Sequence, residues 1–281
     1  LMQDRIRGRA RRPATVAPRT CRRFGARSPA TYAGPVAEPD QIATEPGERL
    51  PPRFGIAAAV VGWMVGLLCG SVTAGIAAEA SGTPLDAFDE LPLSWLAFAQ
   101  TGLWVGLLGA PVVATRLART DLRRALGLRA EPADLAVGGL AGLVGQFAIM
   151  ALVYVPLSWV TDITPEEISE PARGFTDRAD GALGVVLLVL IVGVGAPIVE
   201  EIFWRGLLQR SLVRAAGPAW GVGLTAVAFG AAHFGLLQFP GLAAAGLLFG
   251  LLAHRAGRLG PAIACHVVFN LTAVVVLLAG D

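Results

Sequence analysis

Long apolar runs recur along the 281 residues of this chain and constrain its fold more than any other feature. A helix needs roughly 18 or more mostly apolar residues to cross the ~30 Å hydrocarbon core of a bilayer. The sequence predicts seven such spans, at about 56–78, 93–114, 135–160, 182–212, 218–237, 242–254 with its preceding loop, and 261–278. With 54% hydrophobic residues, 16% charged residues and a mean hydropathy of +0.60, the chain is too apolar for an ordinary soluble domain. We therefore expect an all-α fold, a polytopic transmembrane bundle of about seven helices.

The arginines predict how this bundle is oriented. All 23 basic residues are arginines, and basic residues concentrate in cytoplasmic connections. Only Arg173 and Arg178 lie in connections on one side of the predicted spans, whereas the others lie in the N-terminal segment and in connections on the opposite side. This distribution places the N-terminus in the cytoplasm and the C-terminus outside. Because a chain rich in Arg, Ala and Gly is typical of a GC-rich bacterial gene, the expected location is a bacterial cell membrane.

The chain divides into three regions. Residues 1–53 are rich in Arg, Pro, Ala and Gly without apolar periodicity, a composition typical of a disordered cytoplasmic tail. Its arginines favour contact with anionic lipid. Because aromatic residues do not alternate regularly with them, the two present being Phe24 and Tyr32, we expect no nucleic-acid partner. Residues 54–180 are expected to hold the N-terminal transmembrane helices, and residues 181–281 hold a cluster of polar residues.

This cluster interrupts the apolar runs of the second half. Glu200 and Glu201 lie in the fourth predicted span, His233 in the fifth, and His266 and Asn270 in the seventh. A charged side chain at the bilayer centre costs at least about 2.5 kcal/mol, so such residues usually face one another inside a bundle and mark a functional site. The functional site is therefore expected here.

Spacing within the fourth span separates the roles of its two acids. Glu201 and Arg205 are four residues apart, on one helix face and in the order that favours an ion pair. Pro197 cannot donate to the helix and is expected to bend the span just before the acids. Glu201 is then neutralised locally, whereas Glu200 must find partners on other helices.

Two later pairs repeat the same spacing, Phe229 with His233 and His266 with Asn270. Residues four apart share a helix face, so each pair is expected to project in one direction. Counting 1.5 Å per residue from the basic ends of the spans lets Glu200 meet these polar residues at one level in the cytoplasmic half of the bilayer.

One carboxylate, two imidazoles and one amide support two forms of hydrolysis. In the first, Glu200 is the general base for a water molecule, an imidazole holds that water or polarises a carbonyl, and Asn270 steadies the oxyanion. In the second, Glu200, His233 and His266 are the ligands of a catalytic zinc ion. Both forms lead to water attacking an acyl carbon, so the predicted reaction is hydrolysis of a peptide bond in or next to the membrane.

Three motifs resemble a known family when they are taken together: Glu-Glu-x-x-x-Arg at 200–205, Phe-x-x-x-His at 229–233 and His-x-x-x-Asn at 266–270. In this order on successive apolar segments they resemble the CPBP family, which includes type II CAAX prenyl proteases and the bacteriocin-processing or immunity proteins also called Abi. The resemblance covers residues 182–277. It implies a multi-pass intramembrane endopeptidase of the metallo- or glutamate type, with 181–281 as its catalytic core and a membrane-associated protein or peptide as its substrate.

The resemblance also implies a role for each polar residue. Glu200 would be the water-activating base, and His233, His266 and Asn270 would complete the catalytic site. Three supporting residues would surround it, namely Glu201, Arg205 and Phe229. Trp204 stands where the family more often has Phe or Tyr, which changes the wall of the site but removes no reacting group.

Two other classes of protein remain alternatives. Buried Glu and His also build proton- or ion-coupled transporters, but such transporters tend to have repeated halves, and residues 54–160 show no counterpart of the Glu and His cluster. The third class is a catalytically idle immunity or scaffold protein of the same fold. The remaining histidine, His254, lies beside Arg255 at a predicted helix end, and we expect it outside the site.

Overall fold

The computed structural model describes residues 50–84, 87 and 90–279. Within these residues the chain forms nine helices and no strands, so the all-α prediction is confirmed. The helices are α1 (Pro52–Ser81), α2 (Leu93–Leu117), α3 (Leu122–Leu126), α4 (Pro132–Ser158), α5 (Pro165–Thr176), α6 (Gly181–Ala216), α7 (Pro218–Ala231), α8 (Phe239–Ala256) and α9 (Gly260–Ala279). The predicted tail lies outside the described residues except for positions 50–53.

Six helices are long and apolar enough to cross a membrane, namely α1, α2, α4, α6, α8 and α9. They fit an integral, multi-pass membrane protein. The fifth predicted span is shorter than expected, because α7 is apolar but contains only 14 residues and ends at Ala231. Phe234 follows with a φ of +55°, in the left-handed region that cannot continue an α-helix.

Glycines allow two pairs of helices to pack closely. A Cβ atom added at Gly106 in α2 would lie 2.2 Å from the backbone nitrogen of Gly66 in α1. A Cβ atom added at Gly142 in α4 would lie 2.3 Å from the carbonyl oxygen of Cys265 in α9. Side chains larger than hydrogen are excluded at such contacts between helix backbones, so glycine sets how near α9 lies to α4.

Polar contacts fix the start of α9 against the start of α4. The Arg258 guanidinium, in the connection before α9, donates to both carboxylate oxygens of Asp134 in α4, at 2.7 and 3.0 Å. The Leu259 N–H donates to the carbonyl oxygen of Gly127 at 3.0 Å. A bidentate pair of this kind fixes both distance and orientation. Because His266 lies in the first turns of α9, these contacts also fix its position along the helix axis relative to α4.

Candidate active site

Helix α6 widens on both sides of its two acidic residues. The stretches Val189–Gly195 and Ile202–Gln209 are π-helical, and the α-helical stretch Ala196–Glu201 lies between them. A proline has no N–H and its ring clashes with the carbonyl group four residues earlier, so a wide turn before Pro197 relieves that clash. The disturbance expected before the acids therefore takes the form of a π-helical stretch.

Glu201 and Arg205 form an ion pair inside the bundle. Arg205 Nη1 donates to Glu201 Oε1 at 2.8 Å, and both side chains are 0% exposed. Arg205 Nη2 donates to the carbonyl oxygen of Gly246 in α8 at 3.0 Å. The guanidinium carbon lies 4.5 Å from the ring centroid of Phe229 and 5.3 Å from that of Phe249, within the range of cation–π contacts. Arg205 thus joins α6 to α7 and α8.

His266 lies between the two carboxylates. Its Nδ1 atom is 2.9 Å from Glu201 Oε1, and its Nε2 atom is 4.0 Å from Glu200 Oε2. The imidazole stacks on the Phe249 ring, with centroids 4.3 Å apart and planes 21° apart, which fixes its orientation. Because a carboxylate only accepts hydrogen bonds, the proton in the first contact belongs to Nδ1. In a neutral imidazole, Nε2 is then an acceptor that faces Glu200.

The two adjacent carboxylates differ in their solvent exposure. The Glu201 side chain is fully buried, whereas that of Glu200 is 17% exposed. Neighbouring residues on a helix point about 100° apart, so the face that carries Glu201 is sealed by Arg205 while Glu200 remains accessible. A separation of 4.0 Å between Glu200 and His266 is too long for a direct hydrogen bond and suits a water molecule or a substrate atom between them.

Phe229 connects the two histidines. Its buried ring lies 5.7 Å from the His266 ring and 4.9 Å from the His233 ring, centroid to centroid. The expectation that His233 shares a helix face with Phe229 is wrong in its detail, because α7 ends at Ala231 and His233 follows in a turn. The pair is nevertheless in contact, since His233 Nδ1 is 2.8 Å from the carbonyl oxygen of Phe229. As a carbonyl accepts, Nδ1 is the donor, which leaves Nε2 of a neutral His233 as an acceptor.

Asn270 is attached to a different part of α6. Its side-chain amide donates to the carbonyl oxygen of Val192 at 2.9 Å, within the first π-helical stretch and eight residues before Glu200. The structure therefore brings Glu200 and His266 together around the buried ion pair, and Phe229 lies between the rings of His266 and His233. It places Asn270 where α9 contacts α6.

Two residues of the site were missed by sequence reasoning, and both lie in α8. Phe249 supports the His266 ring, and Gly246 supplies the carbonyl oxygen that Arg205 contacts. Neither residue has an ionisable side chain, so the occurrence of polar residues within apolar runs does not point to them. The available signal was the small-residue spacing of Gly246 and Gly250, four apart on one helix face, which is typical of close helix packing.

A three-ligand zinc site is not assembled by these side chains. The described part of the chain contains no group of three His, Cys, Asp or Glu side chains arranged to hold a metal ion. The Nδ1 atoms of His233 and His266 contact Phe229 and Glu201 respectively, which leaves the Nε2 atom of each ring as its possible ligand atom. His266 Nε2 is 4.0 Å from Glu200 Oε2. Glu200, His233 and His266, the three residues expected as zinc ligands, are thus not gathered into a three-ligand group in this arrangement.

The fold and the site together define a multi-pass membrane protein with an acid–imidazole site enclosed by its helices. Residues 182–272 match the family model described as type II CAAX prenyl endopeptidase Rce1-like. This part of the chain is thus a domain of the CPBP family, and the predicted family is confirmed. Neither a curated protein nor a solved structure matches the chain. The family supports an intramembrane endopeptidase, which would act on membrane-associated substrates.

Replacing Gly142 by Ala is expected to destabilise the protein, because the new Cβ would lie 2.3 Å from the carbonyl oxygen of Cys265. The backbone of α9 can yield only by moving His266, the next residue. Overpacking of this kind costs about 1–3 kcal/mol, which thermal unfolding in detergent would measure. Gly139→Ala is the matched control, since its Cβ would lie 3.6 Å from Val268 Cγ2, an ordinary contact. Equal stability of the two variants would contradict the expectation.

Proposed function

We propose that this protein is a glutamate-type intramembrane endopeptidase, in which Glu200 activates the water that hydrolyses a peptide bond. The observation that carries this proposal is the pair of acceptors, Glu200 Oε2 and His266 Nε2, held 4.0 Å apart. A water molecule that bridges two acceptors donates one O–H to each of them, and its oxygen lone pairs are then free to attack a substrate carbonyl. That is the geometry required of a nucleophilic water.

Each step of the hydrolysis has a group that can perform it. Glu200 takes a proton from the water as the water oxygen bonds to the carbonyl carbon of the substrate, and the C=O π electrons move onto the carbonyl oxygen to give a tetrahedral intermediate. The C=O bond re-forms as the C–N bond breaks, and the proton held by Glu200 passes to the nitrogen of the leaving amine. His266 holds the water, and Nε2 of His233 is able to accept a hydrogen bond from an N–H of the substrate. The Glu201–Arg205 pair contacts no reacting atom and acts by fixing the tautomer and position of His266.

The proposal needs no metal ion for its proton transfers, because Glu200 takes the proton from the water and returns it to the leaving amine. Zinc was the other form of the reaction that the residue types allowed. The two forms predict opposite outcomes of metal removal. Activity that survives dialysis against a strong chelator supports the glutamate mechanism, and activity that is lost and then restored by zinc overturns it.

We further propose that the N-terminal side of α1 lies in the cytoplasm of a bacterial cell and that α9 ends outside. The arginines near the ends of α6 and α8 support this orientation, which follows the positive-inside rule. The short α7 does not alter it. In this orientation α7 and α8 form a hairpin that enters the bilayer and returns to the side it came from. The start of α7 and the end of α8 therefore both lie on the arginine-rich side, whether or not the turn between them reaches the opposite surface.

Cleavage in isotopically labelled water tests the proposed function. The protein would be reconstituted in liposomes with a library of membrane-anchored peptides in H₂¹⁸O, and the products analysed by mass spectrometry. We expect paired fragments whose new carboxyl group carries one ¹⁸O atom. His266→Ala should abolish these products. His254→Ala should not, because His254 lies in the last turn of α8, outside the site. Absence of cleavage by the wild-type protein, or equal loss in both variants, would contradict the proposal.

A further inference from the structure

Two side chains of α6 bond to the backbone of α8 in the same way. Arg205 Nη2 donates to the carbonyl oxygen of Gly246 at 3.0 Å, and Gln209 Nε2 donates to that of Gly250 at 2.9 Å. The donors are four residues apart on α6 and the acceptors are four apart on α8, so the two contacts follow one another along the same pair of helix faces. Together they hold α8 against α6 both in distance and in register.

Glycine at position 250 leaves room for the Gln209 amide. The Gln209 side chain is buried, so its amide must fit between the helices. A Cβ atom added at Gly250 would lie 2.6 Å from Gln209 Oε1, well inside the optimal separation of non-bonded atoms. The amide would have to swing away, and it would then lose its bond to the carbonyl group of the same residue.

Phe249 connects this pair of helices to His266. It lies beside Gly250 on α8, and its buried ring stacks on the His266 imidazole with centroids 4.3 Å apart. The Arg205 guanidinium carbon lies 5.3 Å from the centroid of the same ring. Since the two hydrogen bonds hold the backbone of α8 before and after residue 249, they determine where this ring stands against the imidazole.

We infer that Gln209 is a positioning residue for His266, because its amide holds α8 in register with α6 and Phe249 transmits this register to the imidazole. Helix α6 then orients the imidazole in two ways, directly through Glu201 at the Nδ1 atom and indirectly through the face of the ring. The part of the inference that concerns turnover rests on the proposed function. The part that concerns the contact between Gln209 and Gly250 does not, and unfolding measurements test it alone.

A double-mutant cycle between Gln209 and Gly250 tests the inference. Gln209→Leu removes the amide at similar size and should lower kcat by about 10- to 100-fold with KM unchanged, the effect of a misplaced reacting group. It should unfold near the wild-type temperature, since the Gly250 carbonyl group keeps its α-helical partner four residues later.

Gly250→Ala should lower kcat to the same extent, because its methyl group displaces the amide. It should also lower the unfolding temperature in detergent by roughly 2–6 °C, because the displaced amide is left buried without a partner. In the double variant the methyl group meets no amide. Its kcat should therefore fall no further than in either single variant, and its unfolding temperature should return towards that of Gln209→Leu.

Gly223→Ala in α7 is the matched control, since a Cβ atom added there has no neighbour within 4 Å among the described residues. Gln209→Leu should lose as much kcat in this background as in the wild type. In a Phe249→Leu background it should lose much less, because the ring that transmits the register is gone.

Initial rates would be measured on a peptide that the wild type cleaves in liposomes. Multiplicative losses of kcat in the double variant, a wild-type kcat for Gln209→Leu, or an undiminished loss in the Phe249→Leu background would each overturn the inference. Coupling in unfolding temperature alone would also overturn it, since a purely structural contact gives that result. If the wild type cleaves no peptide, the proposed function fails. The unfolding temperatures then still decide on the contact, which independent losses of stability in the two single variants would contradict.

Discussion

Replacing Glu200 by Gln is expected to lower kcat by about 10²- to 10⁴-fold, the usual contribution of a general base, with little change in KM. Glutamine keeps the length of the side chain and can still contact a water molecule, but it cannot take the proton. The variant should insert into membranes and unfold at a temperature close to that of the wild type, because the Glu200 side chain makes no contact that holds the helices together comparable to those of Glu201 and Arg205.

Initial rates of peptide cleavage in liposomes would measure this effect. Glu170→Gln makes the same chemical change on the exposed surface of α5 and should leave kcat unaltered. Glu200→Asp keeps the carboxylate but withdraws it by one methylene group, so its kcat should lie between those of the wild type and Glu200→Gln. A Glu200→Gln protein with at least half of the wild-type rate would exclude Glu200 as the base.

Replacing Arg205 by Met is expected to destabilise the protein by about 3–5 kcal/mol, the cost of leaving one member of a buried ion pair without its partner. Both side chains of the Glu201–Arg205 pair are 0% exposed, so water cannot take the place of the guanidinium group. The carbonyl oxygen of Gly246 would lose its contact with Arg205 as well. Arg205→Lys should recover only part of the loss, because an ammonium group lacks the planar, forked geometry that reaches two acceptors and stacks on aromatic rings.

Chemical or thermal unfolding in detergent would measure this loss. Arg255→Met, which changes an exposed arginine, is the control and should have a small effect. The double variant Glu201→Leu with Arg205→Met should regain much of the stability, since replacing both members with apolar groups removes the buried charge. It should remain inactive, because His266 Nδ1 would lose the acceptor that fixes its tautomer. An Arg205→Met protein as stable as the Arg255→Met protein would contradict the prediction.

The two i, i+4 pairs show which contacts could be predicted from the sequence. The i, i+4 spacing of Glu201 and Arg205 correctly indicated their ion pair, because both residues lie on one helix and local geometry determines the contact. The same rule failed for Phe229 and His233, because α7 ends before His233 and a turn, rather than a helix face, brings the two side chains together. Local spacing is informative only while the helix continues.

The order of the amino acids was enough to predict an all-α membrane protein, with a polar site in its second half and a Glu200 that needs partners from other helices. The length of an apolar run and the cost of burying a charge depend on the residue types alone, so both can be predicted from the sequence. The packing of the helices was needed to show that α8 supplies Phe249 and Gly246, that His266 faces both carboxylates, and that Asn270 contacts the backbone at Val192. These contacts depend on the local pitch of α6 and on how closely glycine lets the helices approach, and both arise only when the helices are packed together.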